Sequence, residues 1–348
     1  MQQTQRVLEQ FESQAQACEK LGSPFTARLC RVLARRLDAR SRFGARILGW
    51  EGDPYADNVA LRACGAIHAL ARSGWEPALA KAYPPNPTSE NAVWSALIDA
   101  LGHNDAFLTE RLSSPPQTNE VARSALILGG MLHLASVVRM PLELLEIGAS
   151  AGLNLAFDEY RYELGEGRVW GPRTAPLTVE CAWRGRTPPL DAPVAVASRA
   201  GCDLRPVDPA NPEDRARLTS YVWPDQINRL QRVEAALALA GAKGRRVDGE
   251  DAAPWLERHL LAPQEPYTTR VLLHTIVWDY VPVASKARIN ELVAGVGAAA
   301  TPERPFARLT VESDETPGSA RISLQIWPDG RTVTLGRGDY HGRWAEWQ

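Results

Sequence analysis

At 348 residues the chain exceeds one small module, and its 45% hydrophobic and 23% charged content is that of a folded globular protein, not a disordered or fibrous one. Lys and Arg total 39 against 41 Asp and Glu, a formal net charge of -2, which supplies no global field for gripping a phosphate backbone and argues against nucleic acid as the partner. The five cysteines (Cys18, Cys30, Cys64, Cys181, Cys202) are odd in number and lack C-x-x-C spacing, so neither a disulfide framework nor a metal centre is expected. The N-terminus is polar, and no apolar run approaches the roughly 20 residues of a membrane span. The expectation is a cytoplasmic protein with no membrane partner.

Up to about residue 138 apolar residues recur at helical spacing, as in Leu29, Val32, Leu33 and Leu37, or Leu126, Ile127, Met131, Leu132 and Leu134. Turn-rich breaks at Gly22-Ser23-Pro24, Glu51-Gly52-Asp53-Pro54, Pro84-Pro85-Asn86-Pro87 and Ser113-Ser114-Pro115-Pro116 predict five or six helices. Residues 1–138 therefore read as an all-α domain. Arg28, Arg31, Arg35, Arg36, Arg40, Arg42 and Arg46 give the second helix and its exit a basic flank, opposed only by Asp38, which reads as a solvated helix face.

The texture changes at Pro141, where the apolar run LELLEI leads into a glycine-rich turn and then a helical pattern. Further strands are predicted at 193–198, 245–247, 270–278, 306–312, 321–327 and 331–336, with helices at 226–240, 253–261 and 284–295. Alternating β and α implies a parallel sheet. The turn Trp327-Pro328-Asp329-Gly330-Arg331 between two alternating runs predicts an antiparallel hairpin at the end. Residues 139–348 thus read as a second, α/β domain, with an insertion at about 165–192 that would form a hairpin.

Glu146-Ile147-Gly148-Ala149-Ser150-Ala151-Gly152-Leu153-Asn154 closes the first of these strands and would open a helix. Small residues there let backbone approach a ligand closely, and a helix N-terminus offers unpaired N–H groups. The carboxylate of Glu146 would repel pyrophosphate but accept hydrogen bonds from an ammonium or a hydroxyl. That favours a cationic nucleoside over a dinucleotide.

On these residues the sequence resembles the class I S-adenosylmethionine-dependent methyltransferases, whose first motif is an acid followed by three small residues at alternate positions; Glu146, Gly148, Ser150 and Gly152 occupy them here. The resemblance implies a Rossmann-like methyltransferase sheet, mostly parallel with a C-terminal antiparallel hairpin. It also implies S-adenosylmethionine as cofactor, held by the 146–154 loop including Ala149 and Asn154. An acid after the second strand would hold ribose, a place Asp203 in Gly201-Cys202-Asp203-Leu204 fills. Gly249-Glu250-Asp251-Ala252 is similar to the segment that approaches adenine, which brings Asp251 and Ala252 to the cofactor. The whole chain is also similar to the uncharacterised bacterial family catalogued as domain of unknown function 2332, through QTNEVARSA (117–125), LLEIGASAGLNL (144–155), RAGCDLRPVD (199–208), VWPDQ (222–226) and LLHTIVWDY (272–280).

The expected activity is methyl transfer to a small-molecule acceptor. His274 and Asp279 at the end of the fourth strand are the candidate catalytic residues, as general base or substrate contact. Asn119 and Arg123, with Glu120, would reach over the site from just before the cofactor strand, while Thr275, Tyr280 and Trp223 are candidate substrate or cofactor contacts. Three alternatives stay open. Gly148-Ala149-Ser150-Ala151-Gly152 matches G-x-S-x-G, so Ser150 with Asp279 and His341 would make a serine hydrolase. Strand, glycine turn and helix also describe a nicotinamide dehydrogenase. The third is a non-catalytic nucleoside-binding protein on the same fold.

Overall fold

The computed structural model describes residues 2–348. Seven helices come first: α1 (Gln2–Lys20), α2 (Pro24–Arg36), α3 (Arg42–Leu48), α4 (Val59–Ser73), α5 (Pro77–Lys81), α6 (Glu90–Arg111) and α7 (Ser124–Val138). That exceeds the five or six expected. Gly74 ends α4 with a left-handed φ of 79° and Pro77 opens the short α5, a stop and a start too close together to read as two separate breaks.

There follow β1 (Leu142–Ile147), β2 (Arg161–Glu163), β3 (Val169–Trp170), β4 (Thr178–Glu180), β5 (Ala182–Gly185), β6 (Val196–Asp203), α8 (Pro212–Ser220), α9 (Ile227–Ala242), β7 (Asp248–Gly249) and α10 (Ala252–Leu260). The chain ends with β8 (Thr269–Thr275), α11 (Val283–Ala299), β9 (Phe306–Ser313), β10 (Ala320–Trp327), β11 (Arg331–Gly338) and β12 (Trp344–Trp347).

Two compact units result. One takes the chain up to Thr118 and again Pro212–Gln231; the other takes Asn119–Asn211 and Arg232–Gln348. The division thus falls at 118/119, not at the change of texture at 139, and 212–231 returns to the helical unit.

The helical unit closes over Val7, Phe11, Phe25, Leu33, Phe43, Ile67, Leu70 and Leu97. Its ends are capped by side chains: Ser41 Oγ accepts from Gly44 N, Ser89 Oγ from Ala92 N, and the Asp105 carboxylate from the amides of Arg42 and Phe43.

The other unit is built on a nine-stranded sheet of order β5-β12-β11-β10-β9-β8-β1-β6-β7. The run β7-β6-β1-β8-β9 is parallel, and β9 to β12 continue it as an antiparallel meander. On one face α10 and α11 bring Trp255, Leu256, Ile289 and Leu292 onto Leu145, Ile147, Leu272 and Phe306. On the other, α7 packs against β9 and β10. A Cβ on Gly129 would lie 2.1 Å from the Trp347 ring and one on Gly130 2.5 Å from Leu309, so this glycine pair sets how closely the helix lies on the sheet. Coverage on both faces explains why β1 and β8 read as continuous apolar runs. The fold is therefore mixed α/β, with a helical N-terminal region and a large, mostly parallel sheet.

Several expectations need correction. The window Val121–Val138 is, by length and composition, apolar enough to cross a membrane, contrary to the reading that no run approaches this; 78% of it is buried within the fold. The strand placed at 193–198 runs instead over 196–203, and the one at 245–247 is the two-residue β7. The glycine loop opens no α-helix but a 3₁₀ turn, Asn154–Glu159. Tyr160 Oη donates to Leu153 O and Tyr162 Oη to Phe157 O, tying the turn to the residues that follow it, while Leu153 O also accepts from Ala156 N. The 165–192 insertion is no hairpin either. Its strands join a three-stranded sheet, β3-β2-β4, and then β5, which pairs parallel with β12 at the far edge of the large sheet. The terminal hairpin is real but is one step of the β9 to β12 meander.

Candidate functional site

Numbered by chain order, the parallel strands run 3-2-1-4-5, so the order reverses between β1 and β8, where open α/β sheets leave a crevice at the strands' carboxyl ends. The 146–154 segment lies there. Gly148, Ser150 and Gly152 all have left-handed φ, at 67°, 56° and 69°. Gly148 is irreplaceable on a second ground, because a Cβ would sit 2.3 Å from Val277 Cγ2. Ser150 carries the strain of this φ without being glycine, at a cost of roughly 1–2 kcal/mol.

What holds the segment in this shape is a set of side chains from elsewhere. The Ala149 amide donates to Cys202 O, and the Ser150 amide to Asp203 Oδ2 at 2.9 Å. Asn119 Oδ1 accepts from both Ala151 N, at 3.2 Å, and Leu153 N, at 3.0 Å; Gly152 N donates to Ala149 O. Every amide from 149 to 153 is thus satisfied within the chain. The expectation of unpaired N–H groups at a helix start is overturned: no α-helix follows, and these donors are spent, which also leaves none of them for a pyrophosphate.

Polar oxygens, by contrast, are left over. Glu146 Oε2, Ser150 Oγ and Asn154 Oδ1 are buried without hydrogen-bond partners, on side chains only 1%, 3% and 1% exposed. Other buried atoms without partners, such as Tyr83 Oη, Trp183 Nε1 and Thr269 Oγ1, are scattered through the described residues; what sets 146–154 apart is that three oxygens gather on one short segment, which makes it the candidate place for a ligand. Burial pushes the Glu146 carboxyl well above the usual carboxylate range; Arg123 opposes this and Asp203 adds to it.

Arg123 lies where the sequence puts it, with Nη1 on the carbonyl and hydroxyl of Thr275, at 3.3 and 3.2 Å, and Nε on Tyr340 O. It and Thr275 therefore join the Glu146 end of the segment. Glu120 is buried and caps the 3₁₀ turn Val121–Arg123 through Ala122 N. Asp203 uses one oxygen on Ser150 N and the other on Arg205 N, and Asp251 caps α10, where Ala252 begins, through Ala253 N. The two Asp203 oxygens each keep a second lone pair for a ligand, whereas Asp251 Oδ1 also accepts from Ser285 Oγ.

The catalytic reading of His274 needs correction. It is 2% exposed and both ring nitrogens are engaged: Nδ1 pairs with Glu312 Oε1 at 2.7 Å, while Nε2 accepts from Arg308 Nε and Nη2. Because the guanidinium has only donors, Nε2 must be the acceptor and Nδ1 carries the proton. Burial lowers its pKa, so the ring is a neutral structural link, not a base with a free nitrogen. Glu312 in turn accepts from Val277 N and Trp278 N, steadying Ile276 at a left-handed φ of 49° and Val277 against Gly148. Glu312 and Arg308 were not legible beforehand, because with Thr310 they simply fill the polar positions of an alternating strand.

Asp279 and Tyr280 are exposed to solvent, Tyr280 at 77%, and touch none of the orphaned oxygens. Trp223 packs against the core of the helical unit. The Ser150 hydroxyl bonds no imidazole, so the serine–histidine contact that a hydrolase triad needs is not made. Two surface clefts in the helical unit, one near Glu12 and Arg35 and one near Asp38 and Trp94, contain no such orphaned group.

The family model described as an uncharacterized protein conserved in bacteria (DUF2332) matches residues 8–347. No curated protein and no solved structure matches the chain.

Proposed function

We propose that this chain, which belongs to that bacterial family, binds S-adenosylmethionine at 146–154 and methylates a small-molecule acceptor. The observation that carries the reading is the set of three orphaned oxygens, Glu146 Oε2, Ser150 Oγ and Asn154 Oδ1, at the point where the strand order reverses. Oxygens suit a ligand rich in N–H or O–H donors, and the spent amides of 149–153 disfavour a phosphate-bearing one. When bound, the cofactor supplies an electrophilic methyl on a sulfonium. The chain's part is to hold and orient it: Glu146, Ser150 and Asn154 toward an ammonium, Asp203 toward ribose hydroxyls and Asp251 toward an adenine amine. With both His274 nitrogens engaged, the acceptor would arrive with its lone pair already available, as a neutral amine does.

Calorimetric titration with S-adenosylmethionine and S-adenosylhomocysteine tests this. Binding is expected for the native chain and at least tenfold weaker, about 1.4 kcal/mol, for Gly148→Asp. A folded protein that binds neither ligand would sink the proposal. Ser150 has the left-handed φ of a nucleophile elbow but no base bonded to its hydroxyl, so the serine hydrolase is the reading to exclude. Labelling of Ser150 by a fluorophosphonate would establish it; no labelling, with adenosyl-ligand binding intact, removes it.

A further inference from the structure

Among the three orphans Glu146 differs in kind, because it is the one that can hold or lose a proton. An ionised carboxylate that is 1% exposed and has one oxygen, Oε2, without a hydrogen bond is costly to bury. Three ionisable groups face it from the surrounding elements: Arg123 from the turn before α7, Asp203 from the end of β6, and Tyr160 beyond the loop. The Arg123 guanidinium is directed at Thr275 and Tyr340 O through Nη1 and Nε, and Asp203 repels a second negative charge. The neutral Ser150 and Asn154 complete the surroundings. Burial is the largest influence on the carboxyl and favours its neutral form, against the pull of the Arg123 charge.

We propose that the 146–154 segment takes up its ligand's ammonium in exchange for the proton of Glu146. The Glu146 O–H bond breaks, the proton passes to solvent buffer, and the carboxylate left behind pairs with the entering cation. At the Glu146 carboxyl, one positive group replaces one proton. The ammonium is the matching cation, and not the sulfonium, because Ser150 Oγ and Asn154 Oδ1 can accept N–H bonds while a sulfonium has none to give. The inference rests on the cofactor reading above and adds a proton balance to it.

Titration calorimetry with S-adenosylhomocysteine, which carries the ammonium but no sulfonium, tests the exchange near pH 7 in two buffers of different ionisation enthalpy. About one proton should be released per ligand bound, and affinity should tighten by about tenfold per pH unit while free Glu146 stays protonated. Adenosine, which lacks the ammonium, should release none. In Glu146→Gln the ligand should bind more weakly and with no proton release. Binding without proton release by the native chain overturns the exchange alone, as does release that persists in Glu146→Gln. Binding of neither ligand overturns the exchange and the cofactor reading together.

Discussion

The helical unit scatters its buried atoms without partners, Arg28 Nε and Tyr83 Oη among them, whereas the sheet unit gathers three such oxygens on one short segment. In the helical unit Asp225 accepts from Ser23 Oγ and Phe25 N, Asp105 from two amides, and Gln10 Oε1 from Ala60 N, so each acceptor closes an end of the chain's own backbone. In the sheet unit Asn119 and Asp203 do the same for the glycine loop, and then Glu146, Ser150 and Asn154 remain unmatched on the segment so held. Side chains that close backbone bonds have a structural use. Where the scaffold is fully bonded and oxygens are still left over, the remainder marks a place for something outside the chain.

The comparison breaks most visibly at Gly148. Gly148→Ala combines a left-handed alanine with a Cβ 2.3 Å from Val277 Cγ2, and a loss of about 4 kcal/mol is expected from urea denaturation, together with loss of adenosyl-ligand binding. An unchanged midpoint would mean that the loop is slack and its orphans unheld, which would remove the contrast with the helical unit.

A pH titration of stability sharpens it. His68 in the helical unit is buried with Nδ1 on Ser220 O, and burial pushes its pKa down to about 4. The unfolded imidazole titrates near 6.5, so the neutral folded form contributes stability above that value, lost as pH falls toward about 4, to the extent of up to about 3 kcal/mol. Glu146 has the opposite sign. Its raised pKa leaves its stability contribution intact below the unfolded carboxylate range, and that contribution is lost as pH rises through the folded value. His68→Gln should flatten the acid limb of a denaturation-midpoint profile and leave the alkaline limb in place; an unaltered acid limb would show that His68 is not the group responsible.

How much of this was legible in the sequence follows from the range of the interactions. The parallel strands β1 and β8 announce themselves because burial on both faces makes them nearly unbroken apolar runs, and β9, β10 and β11 because one less buried face makes them alternate. The strands β2 to β5 and the two-residue β7 have too few apolar positions to stand out. The Gly148, Ser150 and Gly152 pattern and the acid at 146 were readable, as was Asn119 as a site residue. That Asn119 spends its oxygen on two loop amides was not, because its partners lie 32 and 34 residues away. His274 misled for the same reason: a histidine in an apolar strand looks available until Arg308 and Glu312 on the adjacent strand are seen to take both nitrogens.

The smallest effect belongs to the arginine flank of α2, which the sequence reads as a solvated face. In the structure Arg31 pairs with Glu19, Arg35 with Glu90 at 2.7 Å, Arg36 bonds Asn91 Oδ1, and Arg28 and Arg46 bond carbonyls. The Arg35 and Glu90 side chains are 51% and 41% exposed, so water screens their attraction and their flexible stems lose entropy in pairing. Arg35→Ala should therefore cost no more than about 0.5 kcal/mol at low salt, and less in about 1 M salt, where the screening length falls to about 3 Å. Chemical denaturation of both proteins at the two salt levels measures it. A loss of several kcal/mol that salt does not reduce would place a buried, unreplaced charge interaction in the helical unit, and the distinction between polarity spent on structure and polarity left for a ligand would no longer separate the two units.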